Sequence, residues 1–122
     1  VELEFINFLK PHLNNMEGYI TRKPEGVSIP FFVIDLSVSR GESLYGNNGK
    51  PLGYNYDLRI NVVDTRYMSI RSLRDTLIQV LDGFTGNIGG VDIIDCQLTD
   101  STLGMNLDKS YEGVLFFTIK TK

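Results

Sequence analysis

The chain has 122 residues, 42% of them apolar and 22% charged, with a formal net charge of −3 and one cysteine, Cys96. That length builds one domain with a core of its own. The acidic balance argues against a free-standing nucleic-acid binder, and a lone thiol excludes an internal disulfide or a thiolate metal cage.

No apolar run approaches the ~18 residues of a membrane span. The start Val1-Glu2-Leu3-Glu4 has neither the basic region nor the cleavage site of a signal peptide. The expectation is a soluble intracellular product, trimmed from a methionine start. Leu3, Phe5, Ile6, Phe8 and Leu9 make a helical stripe that Pro11 ends or kinks, because proline has no backbone N–H to donate. Asn14 to Gly18 reads as a turn, Tyr19 to Arg22 as a short edge strand, and Lys23-Pro24-Glu25-Gly26 as a second turn. From Phe31 to Ser39, Phe32, Ile34, Leu36 and Val38 alternate with Val33, Asp35, Ser37 and Ser39, a strand with one face in the core. Tyr54 to Asp64 alternates more cleanly still, so its second face meets water or a polar partner.

Ser69 then reads as the N-cap of a helix with Ile70, Leu73, Leu77, Val80 and Leu81 on one side and Arg71, Arg74, Asp75 and Gln79 on the other. The helix stops at Leu81-Asp82-Gly83, and a turn rich in glycine, residues 84–90, leads into a strand at Val91. A phosphate cradle needs its glycines after a strand and before a helix; here they follow a helix C-terminus, so they serve as positive-φ turn residues. Val91 to Leu98 is a strand with Ile94, Cys96 and Leu98 aligned. Tyr111 to Lys120 is apolar on both faces through Val114-Leu115-Phe116-Phe117, which predicts a central strand. The order predicts one α+β domain over residues 1–122. It has a single antiparallel or mixed sheet, two main helices packed on one face, and a long hairpin arm at 40–53 between two central strands.

No residue is assigned a catalytic, cofactor-binding or metal role, and the chain does not read as an enzyme. His12 lacks a partnered nucleophile and reads as a solvated helix end. Asp92, Asp95, Asp100 and Asp108 lack the ligand order of a calcium loop and read as solvated strand ends and loops, with Asp92 and Asp95 on opposite faces. Cys96 reads as a packed, inert thiol, and Tyr54 and Tyr56 as core aromatics without the basic signature of an RNA-binding sheet. The arm is harder to dismiss, since hairpins ordinarily use about 2–5 residues. It is either a loose loop turning at Asn48-Gly49 or an arm that orders against a partner and buries Leu44 and Tyr45.

The order of these elements resembles the small tail-completion proteins of long-tailed bacteriophages, also called tail terminators or tail-to-head joining proteins. The likeness is spread over most of the chain. Its carriers are the turn Pro24-Glu25-Gly26-Val27-Ser28-Ile29-Pro30 before Phe31-Phe32-Val33-Ile34, the polar loop 40–53, and the strand end Asn61-Val62-Val63-Asp64-Thr65-Arg66-Tyr67. The helix and turn Leu73 to Gly86 with Gly89-Gly90-Val91, then Leu98-Thr99-Asp100 and the strand from Tyr111, complete it. Pro11 inside the first helical stretch departs from the pattern. The resemblance implies a virion protein of the tail or neck, a ring, usually a hexamer, on the last ring of the tail tube. It would contact tail-tube protein and a neck or head-completion protein, with DNA passing through its channel and no membrane or cofactor. The expected contacts are Arg40, Glu42, Leu44, Tyr45 and Lys50 in the arm, then Arg66, Tyr67, Arg71 and Arg74 around the second helix. The alternatives are a neck or head-completion protein docking on the connector side, or a small ligand-binding or enzymatic domain with its site between subunits. Replacing Leu44 and Tyr45 together with serine is expected to leave the monomer folded and to impair assembly; an unchanged solution mass in that variant would count against the arm.

Overall fold

The structure, a computed structural model, describes residues 2–21, 29–40, 54–106 and 109–121. Helix α1 (Glu2–Leu9) runs straight into a 3-10 turn, Lys10–Leu13, with Pro11 inside it. The proline tightens the helix end, since the first positions of a helical turn need no N–H donor. Strand β1 (Glu17–Ile20) takes in Glu17 and Gly18, which the sequence places in a turn, and ends before Arg22. Gly18 belongs there for reasons of space: a Cβ would fall 2.7 Å from Phe32 Cε2 and 2.9 Å from Ile6 Cγ2.

Strands β2 (Phe31–Arg40), β3 (Tyr54–Asp64), β4 (Gly86–Ile88), β5 (Val91–Met105) and β6 (Tyr111–Thr121) complete a six-stranded sheet in the order β1-β2-β3-β6-β5-β4. The sheet is mixed: β1 pairs parallel with β2, and the other pairs are antiparallel. β6 lies between β3 and β5, as its two apolar faces require. The segment between β2 and β3 that the sequence reads as an arm, 41–53, lies outside the described residues.

Helix α2 (Tyr67–Leu81) starts two residues before Ser69. Arg66 stands extended at the N-cap without a side-chain capping bond. The Asp64 carboxylate accepts the Thr65 N–H at 2.6 Å, a local turn that diverts the chain out of β3. Burial, not capping, sets the helix: Ile70, Leu73, Leu77 and Leu81 are buried along one side. With Phe5, Ile6, Leu9 and Leu13 they cover the sheet face of Phe32, Ile34, Leu58, Ile60, Leu115, Phe117 and Ile119, all in one core. Both helices therefore pack on one face, and each fully buried large side chain contributes ~1.5–3 kcal/mol.

The glycine turn is more structured than the sequence suggests. β4 and β5 form a hairpin reversing at Gly89 (φ 58°) and Gly90 (φ 88°), and a Cβ on Gly89 would overlap the Glu4 side chain. Strand β5 runs on to Met105, past the expected end at Leu98, because two bulges let it follow β6 for the whole length. The extra residues are Ile94 and Thr99. The first bulge moves Ile94 out of the core, where Ile93 takes the expected place, and it sets Asp92 and Asp95 on one face instead of two.

Gly18→Ala is expected to cost about 1–3 kcal/mol, because Phe32 and Ile6 are buried and cannot retreat freely. Gly104→Ala, where a Cβ meets open space, is expected to stay within ~0.5 kcal/mol of the parent. Urea midpoints of the two variants check the contrast.

Candidate functional site

Of the expected contact residues, Glu42, Leu44, Tyr45 and Lys50 lie outside the described residues, and Arg40 is the last residue of β2. The structure brings Arg66, Tyr67, Arg71 and Arg74 together at the N-terminal half of α2. The Arg66 carbonyl accepts the Ile70 N–H at 3.2 Å, the first bond of the helix. Tyr67 meets Tyr111 of β6 edge to face, with ring centroids 5.6 Å apart. Arg74 folds onto Asp75, Nη2 to Oδ1 3.0 Å, so its charge is largely answered within the helix. Arg71 is exposed beside a shallow depression of about 280 Å³ that Met68, Ser72, Asp75, Thr76 and Gln79 also line. Met68 is 67% exposed and Met105, paired with Tyr111 across the ladder, is 64% exposed. This end of the domain is thus a mixed apolar and basic surface, the composition of a protein contact.

The sheet face away from the helices has a different character. Phe31, Val33 and Val63 form a small apolar cluster there with Tyr19 and Ile29 packed against it. Beside it the Arg59 guanidinium meets the Asp35 carboxylate at 3.3 Å, both half exposed, a pair worth ~0.2–1 kcal/mol. The two line an open depression of about 240 Å³ with Ser37, Asp57, Thr99 and the exposed ring of Phe116. Arg59 Nε and Asn61 Oδ1 are buried yet have no hydrogen-bond partner among the described residues. By register this face also carries Asp95, Asp100 and Glu112, so acidic groups outnumber its cations, Arg59 and Lys120. Asp100, which the sequence places past the expected strand end at Leu98, is therefore a strand residue like Asp95. Sequence reading foresaw a polar face on β3 but not this gathering; the signal was there in Asp35 and Arg59, which occupy outward positions of adjacent strands.

Among the described residues no group of three or more His, Cys, Asp or Glu side chains is placed to hold a metal ion. Cys96 is 1% exposed on the core side of β5, and burial first, then the charges of Asp82 and Asp95, push its thiol up to about 12. His12 is exposed beside Phe8, ring centroids 5.7 Å apart. No described helix is long and apolar enough to cross a membrane.

No known protein-family model matches the chain. No curated protein matches it either. Among solved structures it is similar to a chain from the virion of a native gene transfer agent particle. The TM-score is 0.69 at 12% sequence identity, over 93% of this chain and 83% of that one. The likeness establishes a shared fold across nearly the whole domain.

Because the Cys96 thiol titrates near 12 in the native state and near 9 when unfolded, the unfolded chain loses its proton first as pH rises. Its contribution to stability is present below pH ~9 and falls by up to about 1.4 kcal/mol per pH unit above it. Denaturant midpoints from pH 8 to 11 are expected to fall less steeply for Cys96→Ala than for the parent.

Proposed function

We propose that this chain is a structural protein of a phage-like virion, a tail terminator that assembles into a ring, most simply a hexamer, on the end of the tail tube. The observation that carries the reading is the fold shared with a gene transfer agent virion chain over 93% of the residues. The order of sequence elements adds the finer assignment, since it resembles the tail-completion proteins in particular.

The mechanism is capping. The ring occupies the growing tube end with a surface that cannot template another tube ring, and it presents its other side to a neck or head-completion protein. Contacts fall to the mixed apolar and basic end of α2, with Arg66, Tyr67, Arg71 and Arg74, and to the arm residues Arg40, Glu42, Leu44, Tyr45 and Lys50. A channel lined by the acidic sheet face would repel phosphates and let DNA slide without being gripped. This assigns the chain to the virion, with no cofactor and no catalytic step.

Solution mass of the purified protein, with negative-stain images of the same fractions, tests the reading. A closed ring of about six subunits with an open centre is expected. A monomer that also ignores purified tail-tube protein would overturn it, and capture by connector protein instead of tube protein would move the ring to the neck.

A further inference from the structure

Besides the outer edges of the short terminal strands β1 and β4, two longer stretches of sheet edge have no strand beside them among the described residues. One is 35–40 of β2, beyond the four residues that β1 covers; the other is 99–105 of β5. The upper part of the β5 edge is closed off. β4 pairs with Val91 to Ile93, the Gly83 N–H donates to the Cys96 carbonyl at 2.7 Å, and the Asp82 carboxylate accepts the Leu98 N–H at 3.0 Å. After the bulge at Thr99 that protection stops. The one described bond off this edge is local: the Ser101 N–H donates to the carboxylate of Asp100 next to it, 2.8 Å. Open edges are usually blunted by proline or lysine, and neither occurs in 35–40 or 99–105.

The backbone groups on these edges point off the sheet in a defined order. The Ile34 carbonyl accepts the Thr21 N–H on the outer side of β2, 2.7 Å, so by alternation Leu36, Val38 and Arg40 face the same way. On β5, Ser101 faces outward while Asn106 turns inward to the Ser110 carbonyl, 2.8 Å, so Leu103 and Met105 also face out.

We propose that the 99–105 edge of β5 pairs antiparallel with the 35–40 edge of β2 in a second copy of this chain, so that one sheet continues from subunit to subunit. The proposal rests on the ring reading and supplies its subunit interface. Three observations carry it. First, the two edges lie on opposite sides of the sheet, as a head-to-tail contact that closes by rotation requires. Second, placing Ser37 opposite Thr102 satisfies direction, face and bonding together. β2 and β5 already run antiparallel within the sheet, Ser37 and Thr102 both lie on the face away from the helices, and Leu36 and Leu103 bring outward backbone groups into opposition.

Third, the stagger is that of a closed sheet. Within one chain the row through Ser37 runs through Asp57 and Thr118 to Gln97. Moving from Gln97 to Thr102 is five positions along β5, one of which is the bulge residue Thr99, so the offset is four residues over four strands. A shear of one residue per strand belongs to closed sheets whose strands tilt by ~36°. The diagonal placement of β1 and β4, each covering one corner, leaves open the two stretches this offset brings together.

Ser37 and Thr102 are both exposed, and non-hydrogen-bonded antiparallel positions hold Cα atoms ~4.5 Å apart, within reach of a disulfide. The test is oxidation of the double variant Ser37→Cys/Thr102→Cys, beside each single variant and a mixture of the two singles. Cys96, buried, stays in place. The expected result is a covalent ladder ending at the mass of the ring in the double variant, and dimers alone in the mixture. A ring by solution mass without cross-links, or cross-linking of Thr102→Cys to itself, would overturn the edge pairing and leave the ring reading standing. A parent protein that stays monomeric even with tail-tube protein overturns both.

Discussion

Phe32, Ile34, Leu58, Ile60, Leu115, Phe117 and Ile119 form one continuous apolar face across three neighbouring strands, and among the described residues two short helices supply most of its cover. Neither helix is long enough to hold its shape alone: α1 has eight residues and α2, with fifteen, has no side-chain cap. Each exists because its apolar stripe is spent on this sheet. The dependence runs the other way too, since a sheet buried on one side needs every part of that cover. Gly18 thins β1 so that α1 can press close, and Gly89 lets the β4–β5 hairpin lean on Glu4 of the same helix. The opposite face is left largely to polar and charged side chains.

That division gives the domain three kinds of surface with separate uses. The α2 end offers apolar and basic side chains of the sort that bury well against another protein. The bare sheet face concentrates carboxylates around the Asp35–Arg59 pair. Among the described residues the sheet margins offer backbone with no strand beside it, which can bind through main-chain bonds and tolerates wide change in side chains.

Much of the architecture was legible in the chain. The alternation from Tyr54 to Asp64 and the double apolar character of Val114 to Phe117 placed the two central strands, because burial on one face and on two faces leave different patterns. What escaped had a physical cause in each case. Ser69 looked like a cap, but the helix is set by the burial of Ile70 and Leu73 and begins wherever the chain leaves β3. β5 read as ending at Leu98 because a bulge breaks a period-two pattern without breaking the strand. The clustering of Asp35, Asp57, Arg59 and Phe116 depends on register between strands, which no single segment encodes. Of the expected contact residues, the α2 group falls on one surface, while the arm group lies outside the described residues apart from Arg40.

The paired bulges of β5 bear on how this protein should be aligned with distant kin. Each inserts one residue that has no register position on β6, and both inserted residues, Ile94 and Thr99, are exposed, the Thr99 hydroxyl donating to the Phe116 carbonyl at 3.0 Å. Loss of either inserted residue would restore unbroken two-residue alternation at that point and leave every other side chain of the strand on its own face. Single-residue insertions and deletions should therefore be tolerated at these two positions inside the strand, without a compensating change. An alignment that confines gaps to loops will set the second half of β5 one position out of step.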